Sequence, residues 1–282
     1  MIQDIVLRLV ADGDSFAPPS INEFLPPAFL FGGTPFAMNR LEIVRFAVVA
    51  FILLFFGVTL SRAKKRADSG NLVPTKPQSA IEWIFDFVKQ FVYETLGTKA
   101  GKKWYPMCIT IFCTILFMNL TGVVPTLNMA ATAGFGVPLL LAVWVFIAYW
   151  REAITDHGRG IRGFFGFLKA EMFPPGLPFY VYPINAIIEL AQVLIIRPAS
   201  LAIRLFANMI SGHILIALCF GATQFFVFTA EPAMKVIGVG TFVGAIFFFC
   251  FELLVACLQA YIFTLFLCVY ISLSFNHDEQ HA

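Results

Sequence analysis

The stretch Arg197-Pro198-Ala199-Ser200-Leu201-Ala202-Ile203-Arg204-Leu205-Phe206-Ala207-Asn208-Met209-Ile210-Ser211-Gly212-His213 sets two guanidinium groups, an amide and an imidazole among strongly apolar residues. An arginine keeps its proton in any protein environment, so burial cannot neutralise it. At the centre of a membrane helix it costs at least ~2.5–3.5 kcal/mol by insertion scales, and such a residue marks a function by default. The charged residues well inside the apolar part of the last hundred positions are Glu189, Arg197, Arg204 and Glu252, and Asn208, His213, Gln224 and Gln259 join them. Carboxylates and an imidazole accept and pass protons, whereas a permanent cation repels them.

Helical phase sorts these groups. At about 100° per residue, Arg197, Ser200, Arg204, Ala207, Asn208 and Ser211 share one face. Apart from its arginines that face is small and polar, which lets another helix approach closely. His213 lies nine positions beyond Arg204 and therefore points about 180° away. Glu252 and Gln259 are seven apart and share a face. Folding the chain back at Glu231-Pro232 sets His213 level with Glu252, and Arg204 level with Gln259. A titratable pair then stands apart from a fixed cation beside a neutral amide, the arrangement of a proton path interrupted by an electrostatic barrier. Taken singly, His213 reads evenly as helix packing or function, while Asn208 and Gln259 more often serve as hydrogen-bonding glue between helices. Arg197 is expected to snorkel toward the cytoplasmic interface. Glu189 either lines an inner vestibule or partners Arg197. Arg204 lies too deep to snorkel.

The elements that hold these residues are legible from composition. The chain is 59% hydrophobic and 13% charged, with a mean hydropathy of +0.83. These values exclude a disordered chain and place it in a membrane. Apolar runs over residues 43–60, 105–124, 138–153, 182–228 and 233–275 are read as spans, since a crossing helix needs ~20 residues. The last two exceed 40 residues, so they tilt strongly as an antiparallel hairpin or leave the bilayer. Residues 78–97 differ: Ser79-x-x-Glu82 reads as a capping box. Glu82, Asp86, Gln90 and Tyr93 form a polar stripe opposite Ile81, Ile84, Phe85, Val88, Phe91 and Val92. That period predicts an amphipathic helix at the membrane surface. The expected fold is an all-α integral membrane protein with five spans and one surface helix, residues 42–282 forming the membrane domain and residues 1–41 an extramembrane arm. Of 19 Lys and Arg, 13 fall on one side, four on the other, and Arg197 and Arg204 in between. Basic residues favour the cytoplasm, which predicts the N-terminus outside and the C-terminus inside. The first residues lack a secretory signal pattern. All six cysteines lie in apolar runs without metal-ligand spacing and are expected to be buried free thiols. No cofactor, metal or nucleic-acid partner is expected.

The motif resembles subunit a of the F-type ATP synthases, the stator part of a membrane proton channel. The likeness rests on Arg197-Pro-Ala-Ser-Leu-Ala-Ile-Arg204-Leu-Phe-Ala-Asn208-Met209, on Gly212-His213, on Glu252 and on Leu258-Gln259-Ala260-Tyr261-Ile262-Phe263, and covers the chain from about residue 42 onward. It implies that Arg204 faces a rotating c-ring and separates two half-channels, with Asn208 one turn along and Gln259 opposite. His213 and Glu252 then line the outer half-channel, in the histidine-first order that some relatives reverse. Glu189 falls near a carboxylate of the inner half-channel. The implied partners are the c-ring, peripheral-stalk b-type subunits, the lipid bilayer and the transported protons, with ATP catalysis in a separate sector. Proton is the default ion and sodium the alternative, because the ring largely sets selectivity. A bacterial plasma membrane is the expected location, an organellar inner membrane the alternative. An ion-coupled secondary transporter is the rival reading, but such folds show paired repeats with broken helices, and the sequence displays none. A purely structural membrane subunit would not need Arg204, His213, Glu252 and Gln259 in register.

Overall fold

Inside a bilayer no water is available to backbone amides, so an apolar chain satisfies them within helices. The computed structural model describes residues 28–30, 38–68, 76–124, 131–132, 134–156, 182–229 and 234–274, together with Gly163, Gly166, Leu168, Lys169 and Met172. A short antiparallel strand pair, β1 (Ala28–Leu30) and β2 (Met38–Asn39), precedes the helices where the sequence predicts only an arm. The rest of that arm and the fold-back at Glu231-Pro232 lie outside the described residues. Helices follow in the order α1 (Arg40–Asp68), α2 (Lys76–Val123), α3 (Gly136–Asp156), α4 (Tyr182–Ala191), a π-turn (Gln192–Ile196), α5 (Arg197–Gln224), a second π-turn (Phe225–Thr229) and α6 (Lys235–Ser274). Among the described residues, five helical segments are long and apolar enough to cross a membrane.

Two compact units emerge, each drawing on several helices. In the unit formed by residues 1–56, 114–134 and 205–259, Phe51, Phe55 and Phe56 of α1 set their ring edges on Phe117 of α2, with centroids 6.0, 6.1 and 6.1 Å away. Arg45 Nε donates to the Ala131 carbonyl at 2.9 Å, and Thr132 Oγ1 donates to Asn119 Oδ1 at 2.7 Å. The outward side of α1 carries Phe46, Leu53 and Leu54, each about two-thirds exposed, as a lipid-facing helix does. Later in this unit α5 and α6 run antiparallel. Thr223 Oγ1 donates to Thr241 Oγ1 at 3.0 Å. A side chain on Gly238 would lie 2.7 Å from Val227 Cγ2, so glycine sets the close approach of the two segments.

The other unit comprises residues 57–113, 135–204 and 260–282. Here α2 is broken at Gly97 (φ 74, ψ 179), a conformation that essentially only glycine adopts. The break separates the amphipathic arm, residues 76–96, from the apolar arm, residues 98–123. The arms fold together: Tyr105 Oη donates to the Phe85 carbonyl at 3.1 Å, and Phe87 and Phe112 meet at 6.1 Å. A Cβ on Gly101 would meet the Tyr93 ring at 3.3 Å. The amphipathic arm starts at Lys76, three residues before the expected capping box. Gln78 Nε2 instead donates to Glu82 Oε1 at 2.8 Å. Its apolar stripe does face inward, with Ile81, Val88, Phe91 and Val92 buried. Lys103 Nζ pairs with Glu152 Oε1 of α3 at 2.5 Å.

Gly97→Ala is expected to cost about 1–3 kcal/mol from the disallowed backbone region, lowering the midpoint of thermal inactivation of the detergent-solubilised protein. Gly57→Ala in α1, where an added Cβ meets nothing within 4 Å, should leave that midpoint unchanged or raise it slightly, since alanine suits a helix interior better than glycine. Equal midpoints for both variants would contradict the assigned break.

Candidate functional site

On α5 the sequence alternates faces with helical period, and burial follows it. Ala202, Leu205, Met209, His213 and Ile216 are buried, whereas Ala207, Asn208 and Ser211 are exposed. The small polar face read from the sequence is therefore the open one, with Arg197 and Arg204 partly buried at its start. His213 lies on the opposite side, only 6% exposed, and Glu252 of α6 is 3% exposed. The two side chains meet: His213 Nδ1 is 2.5 Å from Glu252 Oε1. Alanines on both helices (Ala217, Ala222, Ala245 and Ala256) are buried and let the backbones pack closely enough for that contact. Gln259 shares the buried face of α6 and is 4% exposed.

Gly212 makes room for this pair. A Cβ there would sit 3.0 Å from Glu252 Oε1, 3.1 Å from its Cδ and 3.3 Å from its Cγ. The other carboxyl oxygen, Glu252 Oε2, is buried with no hydrogen-bond partner among the described residues. A buried polar atom of this kind calls for a functional explanation. An imidazole and a carboxylate in contact each accept and release protons, so the pair can take up a proton at one atom and hand it on from the other.

A second polar cluster lies around Arg197. Its Nη2 donates to Glu189 Oε1 at 2.9 Å and its Nη1 to the Tyr149 hydroxyl at 2.9 Å. The guanidinium also sits 5.9 Å from the Tyr149 ring centroid and 5.7 Å from that of Tyr270. Snorkelling is thus replaced by inward pairing, with the Arg197 and Glu189 side chains only 13% and 20% exposed. The structural partnership open to Glu189 is present. Helix geometry explains how. Eight positions separate the two residues, which leaves them about 80° apart on an ideal α-helix. The π-turn Gln192–Ile196 absorbs one extra residue, so the eight act as about seven and the offset falls to about 20°. An off-phase pair of opposite charges inside an apolar helix was the only signal of this adjustment in the sequence.

Arg204 is partly buried, and its Cζ lies 4.8 Å from the Phe266 ring centroid of α6. Nothing in residue spacing singled out Phe266, Tyr149 or Tyr270. The cysteines are all free, but only Cys108, Cys113 and Cys268 are buried; Cys219 is partly buried, while Cys250 and Cys257 are exposed on the outward side of α6.

Residues 43–272 match the family described as ATP synthase A chain. The ATP synthase subunit a of Rhodococcus erythropolis is 36% identical over 268 residues, covering 95% of this chain and 93% of the relative. That of Magnetococcus marinus is 39% identical over 202 residues, 72% of each. That of Paenarthrobacter aurescens is 30% identical over 278 residues, 98% of this chain and 100% of the relative.

Two outcomes follow from the geometry. Gly212→Val should drive the Glu252 carboxyl off the imidazole and shift its infrared carboxyl band, isolated by difference against Glu252→Gln; an unmoved band contradicts the packing. A double-mutant cycle on Glu189→Gln and Arg197→Gln, read from thermal inactivation, should give a coupling of about 1–3 kcal/mol. Deleting Ile195 should preserve that coupling by restoring the α-helical spacing, while inserting one alanine after Ile195 should remove it.

Proposed function

The chain belongs to the ATP synthase A chain family, and on that premise we propose that it is the proton-translocating stator subunit of a rotary ATP synthase. Its partners in this reading are the c-ring, which turns against the open face of α5, and the peripheral-stalk b-type subunits that hold it still. It provides two offset half-channels and the barrier between them, and ATP is made in another sector, so the chain acts as a transport component. The observation that carries the reading is the buried contact of His213 with Glu252, opposite in helical phase to the exposed Ala207, Asn208 and Ser211.

A proton reaching the outer half-channel is taken up at the Glu252–His213 pair, where Oε2 offers a buried acceptor. It passes to a carboxylate on the ring. Neutral, that carboxyl can move into lipid; charged, it would meet a large desolvation cost. After nearly a full turn it loses its proton toward the inner half-channel, on whose side Glu189 lies in this reading. Arg204 attracts the resulting carboxylate and repels protons, so the two half-channels are not short-circuited. Gln259 stands level with Arg204 by the same fold-back arithmetic that pairs His213 with Glu252, and Asn208 extends the polar face one turn along. Each proton crossing 100 mV releases about 2.3 kcal/mol, so several are needed per ATP. The charge distribution supports an outer N-terminus and cytoplasmic C-terminus, and the bacterial relatives support a plasma membrane.

Arg204→Ala in membrane vesicles carrying the assembled complex is expected to abolish ATP-driven proton pumping, while the detached catalytic sector still hydrolyses ATP. Glu252→Ala should lower pumping by at least about a hundredfold, the low end for loss of an acid–base group. Pumping at native rates in either variant sinks the proposed path.

A further inference from the structure

Two arginines seven positions apart on α5 meet two aromatic rings four positions apart on α6. Arg204 lies over Phe266 at 4.8 Å, and Arg197 over Tyr270 at 5.7 Å. The antiparallel run of the helices sets the later arginine on the earlier ring. Phe266 and Tyr270 also stack on each other, with centroids 5.8 Å apart and planes inclined by 22°. All four residues belong to one compact unit. Tyr270 is tied further to Tyr149, 6.0 Å away between centroids, and Tyr149 is fully buried. The ring under Arg204 is therefore held in place by a chain of aromatic contacts that ends in the core.

We propose that Phe266 is a positioning residue for Arg204, fixing the guanidinium over its ring face by a cation–π contact. This rests on the reading of Arg204 as the barrier between half-channels. The face of an aromatic ring is the negative part of its quadrupole and attracts a cation, most strongly where water is excluded. The ring carries no net charge, so the guanidinium is held without being cancelled. A contact of this kind leaves the positive charge able to attract a carboxylate arriving on the rotor. The ring also restrains a side chain that otherwise has one of the largest rotamer entropies, which keeps the charge at one depth.

The experiment measures protons pumped per ATP hydrolysed, and passive proton leak, in vesicles carrying the complete enzyme. Phe266 is replaced by leucine, by tryptophan and by pentafluorophenylalanine, which keeps nearly the shape of phenylalanine but reverses the sign of the ring face. Phe266→Leu and the pentafluoro variant should both raise leak and lower coupling, on the order of tenfold for loss of a desolvated cation–π contact. Phe266→Trp, the strongest cation–π ring, should retain coupling. Native coupling in the pentafluoro variant, with Arg204→Ala uncoupled, overturns this proposal alone and leaves the barrier reading standing. Native coupling in Arg204→Ala overturns the barrier reading and this proposal with it.

Discussion

A guanidinium that cannot be discharged, set in a helix surrounded by apolar residues, is the constraint on which the other features depend. Such a charge is tolerated only where protein groups or a partner surface compensate it. Around Arg197 the compensation is a carboxylate, a phenol and two ring faces. Around Arg204 it includes the face of Phe266, while the small residues one and two turns along leave the helix side exposed. The chain thus ties Arg197 into internal structure, whereas in the proposed function Arg204 faces the rotor.

Close packing then decides where titratable groups can lie. The His213–Glu252 contact needs α5 and α6 near enough for side chains of ordinary length to touch. Buried alanines and Gly212 supply that approach, and Gly212 lies so near Glu252 that even a methyl group would crowd it. Backbone irregularities serve the same end. The π-turn at Gln192–Ile196 brings Glu189 onto the phase of Arg197, and Gly97 lets the amphipathic arm of α2 fold back on its apolar arm. Each irregularity adjusts phase or direction where an ideal helix would point a residue elsewhere.

Much of this was legible in the sequence, because hydropathy and helical period are strong signals in a membrane protein. The five apolar segments, the inward stripe of Ile81, Val88, Phe91 and Val92, and the fold-back that pairs His213 with Glu252 follow from residue types and counting alone. What stayed hidden has physical reasons. A π-turn leaves no composition mark, so the eight-residue spacing of Glu189 and Arg197 reads as off-face. Gly97 resembles any other glycine until its φ is known. The capping box at Ser79 and Glu82 fits its pattern, yet the helix begins at Lys76 with Pro77 in its first turn, where a proline ring is tolerated. Phe266 is one of 34 phenylalanines, and only the tertiary fold singles out which ring meets an arginine. Cys250 and Cys257 lie in apolar sequence but on the outward side of α6, since apolar in a membrane helix does not mean buried in protein.

The proposed function requires that the Glu252–His213 pair and Glu189 open to opposite sides of the membrane, with Arg204 between them. Its most direct measurement is side-selective labelling of Glu252→Cys and Glu189→Cys, made in a chain whose six native cysteines are replaced and assembled in sealed vesicles of either orientation. A membrane-impermeant thiol reagent is expected to reach the first variant only from the outer side and the second only from the inner side. Labelling of both from the same side would contradict it.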